Sequence, residues 1–354
     1  MTTNTTHAPI PFADHGEIIP VDEIDDIRQV LIAVETLLRR KYEKTGLRQS
    51  DVHVKAVGCA KGEFRVLPNL PEELTQGLFS RDRTYSALVR FSNSASQVQP
   101  DWIPDGRGLA LKVFDVEGEM LPSDKPEVRA QDFIMLNHPV FFARNVKEFL
   151  RVEQVLVAAD ENPLAVAKGA LTGGDWNPLN WHWREAVTAV QIAGHLPVHP
   201  ASNTYYSAAP IRFGKYVAKY RIRPASVPPE TFLEVVNRLR LEANALSLML
   251  EETLKSQQLL FEFQVQLRTS TETMPIEDAS AEWPESESPF RTVAVLLLPR
   301  QEIGGPMEKQ ACKQLSFNVW NALAEHQPLG GINRLRKDAY RVSSAWRHLS
   351  ASGN

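Results

Sequence analysis

From Ile27 onward the chain switches between two hydrophobic periods, and the period indicates which element each stretch forms. Ile27, Val30, Leu31, Val34, Leu37 and Leu38 recur at helical spacing, and Gly46 supplies a stop, so an amphipathic helix is expected there. Stretches around 52–57, 63–67, 84–92 and 109–114 read as strands broken by Gly, Pro and Asp. A second amphipathic helix is expected around 145–158, followed by a loop rich in Gly, Trp and Asn from Gly173 to Trp183. Residues 214–222 read as a strand, and 229–256 as a helix or a helix pair. The clearest alternation is 260–268. There Phe261, Phe263, Val265 and Leu267 interleave with Glu262, Gln264, Gln266 and Arg268, which predicts one buried and one polar face. Residues 291–298 form a more fully apolar strand, and a final helix follows Gly330 and Gly331 over about 332–348. Strands first, helices interspersed and a helix last predict an α+β fold around an antiparallel sheet. Residues 1–20 are polar, contain Pro and read as a mobile arm, with a single domain over 21–354.

Composition narrows the function classes. The 354 residues are 43% hydrophobic and 23% charged, enough for a sizeable core without staples. A net charge of −4 with no basic run disfavours a nucleic-acid partner. No apolar run approaches ~20 residues, so no membrane span is expected, and the N-terminus lacks a basic-then-apolar secretory signal. Cys59 and Cys312 lie far apart, have no metal-ligand spacing and suggest no disulfide framework. A reducing, cytoplasmic setting fits.

The last helix carries the first candidate chemistry. Arg336, Tyr340 and Arg347 fall on one face. A guanidinium one turn from a phenol favours the phenolate, an oxygen donor suited to ferric haem, and a second arginine can pair with a carboxylate through a charge-assisted fork. Arg-x-x-x-Tyr is common by chance, and a basic amphipathic helix with a half-buried Tyr explains it equally well. In 84–92, Arg90 and Ser92 share one face of a strand and Val89 and Phe91 the other. Arg90 could hold an anion and Ser92 could hydrogen-bond a catalytic histidine; a solvated outer face is the plainer alternative. His53, in the strand-like Val-His-Val-Lys, is a candidate acid/base for moving a proton between peroxide oxygens, although a lone His is more often structural. Asn137, which opens Asn-His-Pro-Val-Phe-Phe, and Phe149 supply an amide and a ring that could meet a flat cofactor, or simply a turn into an aromatic cluster.

The order of these signals resembles the haem-binding core of catalases. Ser86 to Ala95, reading Ser-Ala-Leu-Val-Arg-Phe-Ser-Asn-Ser-Ala, is similar to the family's Val-Arg-Phe-Ser run. Asp105 to Phe114, reading Asp-Gly-Arg-Gly-Leu-Ala-Leu-Lys-Val-Phe, is similar to its Pro-Arg-Gly-Phe-Ala-Val-Lys. Asn137 to Phe142 resembles its Asn-x-Pro-x-Phe-Phe, Thr271 to Pro284, ending Ala-Glu-Trp-Pro, its segment ending in Trp-Pro, and Leu315 to Asn318 its Leu-x-Phe region. His53 precedes Ser92 by the catalase spacing, and Arg336, Tyr340 and Arg347 keep the spacing of ligand helper, ligand and propionate arginine. The resemblance covers roughly 45–348.

It implies an eight-stranded antiparallel β-barrel with flanking helices and haem b buried between them. Tyr340 is then the proximal iron ligand, Arg336 its charge partner, His53 the distal acid/base and Ser92 the group that orients it. Arg90 and Arg347 bind propionates, Phe149 packs on the haem, and Val52, where allene oxide synthases carry Thr, narrows the approach in favour of small peroxides. Three features depart from the pattern. Ser50 stands where the family has an arginine. Leu136 stands where it has the distal asparagine, so that Asn137 fills the role only through a shift of one residue. The C-terminal helical region of full catalases has no counterpart, so tight tetrameric interlocking is not expected, which leaves room for a homodimer. The implied activity is that of a peroxidase with some catalase activity on hydrogen peroxide or small organic hydroperoxides, its electron donor unspecified. A fatty-acid hydroperoxide isomerase of the allene oxide synthase or epoxyalcohol synthase type and a non-catalytic haem-binding protein are the alternatives.

Overall fold

A computed structural model describes residues 8–14, 16–123, 127–160, 162–173, 175, 177–226 and 232–349. Its strands are β1 (Ala56–Val66), β2 (Thr84–Asn93), β3 (Arg107–Phe114), β4 (Ala130–Leu136), β5 (Tyr205–Tyr206), β6 (Ile211–Phe213), β7 (Tyr216–Pro224), β8 (Leu259–Leu267) and β9 (Arg291–Leu298). They pair in the order β5-β4-β3-β2-β1-β9-β8-β7, and β5 also pairs with β7. That last pairing closes eight antiparallel strands into the expected barrel, with β6 as a short hairpin arm on β7. Closure leaves the ring without a free edge.

The alternation expected in β8 is what fills the barrel. Phe263 sits at the centre of an aromatic cluster, with ring centroids 4.8 Å from Phe133, 5.3 Å from Phe64, 5.6 Å from Tyr220 and 5.7 Å from Phe79. The opposite face of β8 is polar in composition, as expected, but not solvated. Gln264 and Gln266 are buried, and Gln266 Nε2 donates to the carbonyls of Trp283 and Ser288 at 3.0 and 2.8 Å. The segment that follows β8 covers this face and supplies backbone acceptors in place of water.

The helices are α1 (Glu23–Thr45), α2 (Val146–Ala159), α3 (Pro163–Thr172), α4 (Trp183–Ala193), α5 (Phe232–Leu241), α6 (Ala245–Ser256), α7 (Pro306–Gln314) and α8 (Gly331–His348). The apolar stripe of α1 packs against α2 and α8 through Val30, Val34, Leu38, Val146, Leu150 and Leu335. Gly46 ends α1 in the left-handed region at φ 68°, where a Cβ would be strained. Arg334 of α8 then ties this layer together, donating to Glu23 of α1 at 2.5 and 2.8 Å, to Glu277 at 2.7 Å and to Glu17.

Several expectations change. Residues 52–55 are not a strand: β1 begins at Ala56, and His53 takes φ 56° in a turn. β4 was not anticipated, because its sequence, Ala-Gln-Asp-Phe-Ile-Met-Leu, places polar residues on both faces and shows no alternation. The arm expected to be mobile docks in part. Ile10 N donates to Arg268 O at 2.9 Å and Phe12 N to Lys215 O at 2.8 Å. Cys59 and Cys312 form a disulfide with Cα atoms 5.6 Å apart, which corrects the expectation of unpaired thiols. The pairing spans 253 residues, and only the fold brings the two together. Residues 1–7 and 15 of the arm, 229–231 of the helical stretch, and Gly174 and Trp176 of the aromatic loop lie outside the described residues. Among the described residues no helix is long and apolar enough to cross a membrane.

Phe263→Ala removes the ring that the rest of the barrel core contacts. The expected cost is about 3–5 kcal/mol of unfolding free energy, to be read from the guanidinium midpoint at unchanged denaturant slope.

Candidate active site

A cavity of about 140 Å³ lies between the outer face of the barrel and α8. The turn Ser50 to His53, β2 (Arg90, Ser92), β3 (Gly108, Ala110), β4 (Ile134), Phe317 and α8 (Tyr340, Ser343, Arg347) form its walls. The period of β2 decides which side chains reach it. Val89 and Phe91 are buried inside the barrel, so Arg90 and Ser92 point outward, beneath the helical layer rather than into solvent.

His53 is held from two sides. Its Nδ1 lies 2.9 Å from Asn93 O and 3.1 Å from Ser92 Oγ. A carbonyl only accepts, so Nδ1 carries the proton, and Nε2 is left with a free lone pair. The His53 carbonyl accepts from Arg90 Nη2 at 2.8 Å, which ties the turn to β2. The imidazole keeps an accessible edge in the cavity, yet burial lowers its pKa to about 4, helped by the charges of Arg90 and Arg336. It is therefore a neutral base at pH 7.

Gly108 was not anticipated as part of the site. A Cβ on it would stand 2.7 Å from His53 Nδ1 and Cε1 and 2.8 Å from Ser92 Oγ, so the imidazole occupies the space a side chain would fill. The Gly-Arg-Gly run at 106–108 was the available signal, since glycine inside a strand marks a close approach. Asn93 was missed as well. Its side chain donates to Asp101 Oδ1 at 3.0 Å and accepts from Arg107 Nη1 at 2.5 Å, and Lys55 Nζ joins Asp101 at 2.8 Å. These buried groups compensate one another and anchor the residue whose carbonyl orients His53.

On α8, Arg336 Nη2 donates to Tyr340 Oη at 3.2 Å, and Nη1 donates to Asn333 Oδ1 at 3.0 Å, as the spacing predicts. Arg90 and Arg347 both line the cavity. Burial pushes Arg90 down to about 10, with the charge of Arg347 acting the same way and Tyr340 opposing it. Burial also lowers Arg347, whose Nε is buried and has no protein partner. Two guanidinium groups thus share one low-dielectric space. Asp51, the carboxylate among the lining residues, has its pKa raised by burial and faces Lys41. Such a pair of cations suits a ligand that brings carboxylates. Val52 is 47% exposed at the rim.

Two expected residues lie elsewhere. Asn137 Oδ1 accepts from Arg107 N at 2.7 Å and its Nδ2 reaches Asn203 Oδ1 at 3.4 Å, so its amide is engaged with backbone and side chain away from the cavity wall. Leu136 does not line the cavity either; Ile134 and Met135 do. Phe149 stacks with Phe141 and Phe142 at centroid distances of 5.8 and 5.7 Å and is not among the lining residues. Among the described residues no cluster of three or more His, Cys, Asp or Glu is arranged to hold a metal ion.

Gly108→Ala should drive the imidazole off Ser92 and Asn93. Histidine ¹⁵N shifts would then lose the protonated-Nδ1 signature of His53; an unchanged signature would show that the glycine is not required for its placement.

Residues 29–167, which carry His53, Arg90, Ser92 and Gly108, match a family profile described as Catalase. No curated protein matches by sequence. Catalase A from Saccharomyces cerevisiae superposes with a TM-score of 0.67 at 18% identity, covering 96% of this chain and 67% of its own. A fungal catalase gives 0.65 at 16% identity over 96% and 65%, and a bacterial catalase 0.61 at 16% over 96% and 63%. The chain spans about two thirds of the length of these catalases. The catalase profile thus covers the segment bearing the histidine, and the chain has the catalase fold over nearly its whole length.

Proposed function

We propose that the cavity binds haem b and that the protein turns over peroxides, as a peroxidase with some catalase activity on hydrogen peroxide or small organic hydroperoxides. The observation that carries this reading is the composition of one cavity wall. It joins a phenol with its own guanidinium, a neutral histidine of fixed tautomer and two half-buried arginines. Tyr340 fits a ferric haem as its oxygen ligand, and Arg90 and Arg347 fit the propionates, the unpartnered Nε of Arg347 included. Bound there, haem b would supply the redox-active iron at which the O–O bond of a peroxide is cleaved.

The protein's own share of the work is proton handling and orientation. His53 Nε2 accepts the proton of the incoming peroxide and returns it to the departing oxygen. Ser92 and Asn93 keep the ring in the tautomer that leaves Nε2 free. Arg336 biases Tyr340 toward the phenolate, and Val52 at the rim restricts the approach. With the Asn137 amide held by Arg107 and Asn203, no amide from that position steers a second peroxide, which favours peroxidase over rapid catalase turnover. Fatty-acid hydroperoxide isomerisation is the second reading. It is favoured by exposed apolar side chains along 179–196, Leu179 at 91%, Val190 at 70% and Leu196 at 63%.

The spectrum of haem-supplemented protein beside Tyr340→Phe tests the ligand. The ferric band should shift or vanish in the variant, and an identical spectrum would reject Tyr340. Turnover of hydrogen peroxide against a polyunsaturated fatty-acid hydroperoxide separates the two enzyme readings, and haem binding without either leaves a carrier. Because the His53 base is neutral above about 4, peroxide turnover should hold through mildly acidic pH and fall as pH approaches that value. A steep loss near neutrality would show a different base at work.

A further inference from the structure

The cystine stands beside both cavity arginines. In the register of β1 and β2, Cys59 lies directly opposite Arg90, so the two side chains leave the sheet on the same face. Its partner, Cys312, is on α7, a helix whose residues 306–311, 313 and 314 are exposed and whose one buried residue is Cys312. An ion pair from Lys309 to Glu251 at 3.0 Å is partly solvated and adds little to holding the helix down. The chain leaving α7 then carries the acceptors of the second arginine. Arg347 Nη1 donates to Lys313 O at 3.3 Å, and Nη2 donates to Leu315 O and Ser316 Oγ, both at 3.1 Å. One covalent bond therefore joins the strand opposite Arg90 to the segment that grips Arg347.

Mutual repulsion of two half-buried guanidinium groups favours their separation. The link through Cys59 and Cys312 opposes it by fixing the backbone on both sides. We propose that this cystine is a redox-modification site whose oxidised form holds Arg90 and Arg347 together as a carboxylate-binding pair, and whose reduction releases α7 and the 313–316 segment and weakens that pair. The proposal rests on the reading that the cavity receives a carboxylate-bearing group.

The chemistry balances with two reagents. A dithiol reduces the bond: one thiolate attacks a cystine sulfur and expels the other cysteine, and the second thiolate then displaces the attacked cysteine from the mixed disulfide. The dithiol leaves as its cyclic disulfide, and Cys59 and Cys312 end as thiols. Peroxide reverses the step. A cysteine thiolate attacks one peroxide oxygen and the O–O bond breaks, giving a sulfenic acid and water or an alcohol. The second cysteine then attacks that sulfur and expels water. The oxidant is the class of molecule proposed as substrate, so peroxide would set its own binding site in the competent state.

The test treats the intact chain with dithiothreitol under native conditions. Alkylation and mass measurement count the thiols, hydrogen exchange reads 306–317, and a haem titration follows the absorption band. The expected result is two alkylatable thiols, exchange at 306–317 about tenfold faster and haem affinity about tenfold weaker. Hydrogen peroxide should restore all three in the wild type but not in Cys312→Ser. A cystine that resists reduction until the protein unfolds, or a reduced protein that exchanges and binds haem as the oxidised one does, would overturn the proposal. If neither form binds haem, the reading of the cavity fails, and exchange at 306–317 alone still decides whether the cystine holds that segment.

Discussion

A strand has two faces, and β2 uses both for different purposes. Its inward residues Val89 and Phe91 are part of the apolar filling of the barrel, while its outward residues Arg90 and Ser92 are the floor of the cavity. A slip of one residue in pairing would put a guanidinium into the barrel and a phenyl ring against His53. The register is pinned from both edges, with Arg90 opposite Cys59 of β1 and opposite Ala110 of β3. Barrel packing thereby fixes site geometry, since the residues that cannot move without opening the core share a backbone with those that carry the chemistry.

The histidine illustrates how much of the placement of a candidate acid/base lies outside its own side chain. The imidazole depends on the Asn93 carbonyl for its tautomer and on a missing side chain at Gly108 for its place. Its turn depends on Arg90 for attachment to the barrel. Behind Asn93, Lys55, Asp101 and Arg107 are buried and exchange hydrogen bonds, and Asp101 also accepts from Leu246 N at 2.9 Å, which brings in the start of α6. A buried network of this kind is stable only when its members are satisfied together, so it transmits rigidity rather than flexibility to the ring.

Tyr340 is placed by a different means. Its helix is docked by the apolar seam with α1 and α2 and by the Arg334 cluster, which gathers Glu17, Glu23 and Glu277 from three separate parts of the chain. Burial works against Arg334, and the surrounding carboxylates more than offset it, so its pKa is raised. The contrast with Arg90 and Arg347 is informative. Where carboxylates are supplied, a buried arginine is a structural tie. Arg90 and Arg347 instead donate to carbonyl and hydroxyl oxygens.

The sequence by itself determined α1, α2, α8, β2 and β8 through an apolar face that the period of each reveals, and β3 and β9 through their apolar runs. It also determined the contact between Arg336 and Tyr340, because i and i+4 are neighbours on any helix, and the shared face of Arg90 and Ser92, because alternation is a property of any strand. Only the tertiary structure decided the rest. β4 carries polar residues on both faces and so shows no period, and its burial comes from its neighbours. The φ of His53 is set by the turn it occupies, and the positions of Asn137 and Phe149 by the tertiary neighbours they meet. The cystine joins residues that no local rule relates. Local periodicity reports on which side of an element faces the protein; which protein atoms wait on that side depends on contacts between residues far apart in the chain, and those exist only once the barrel has closed.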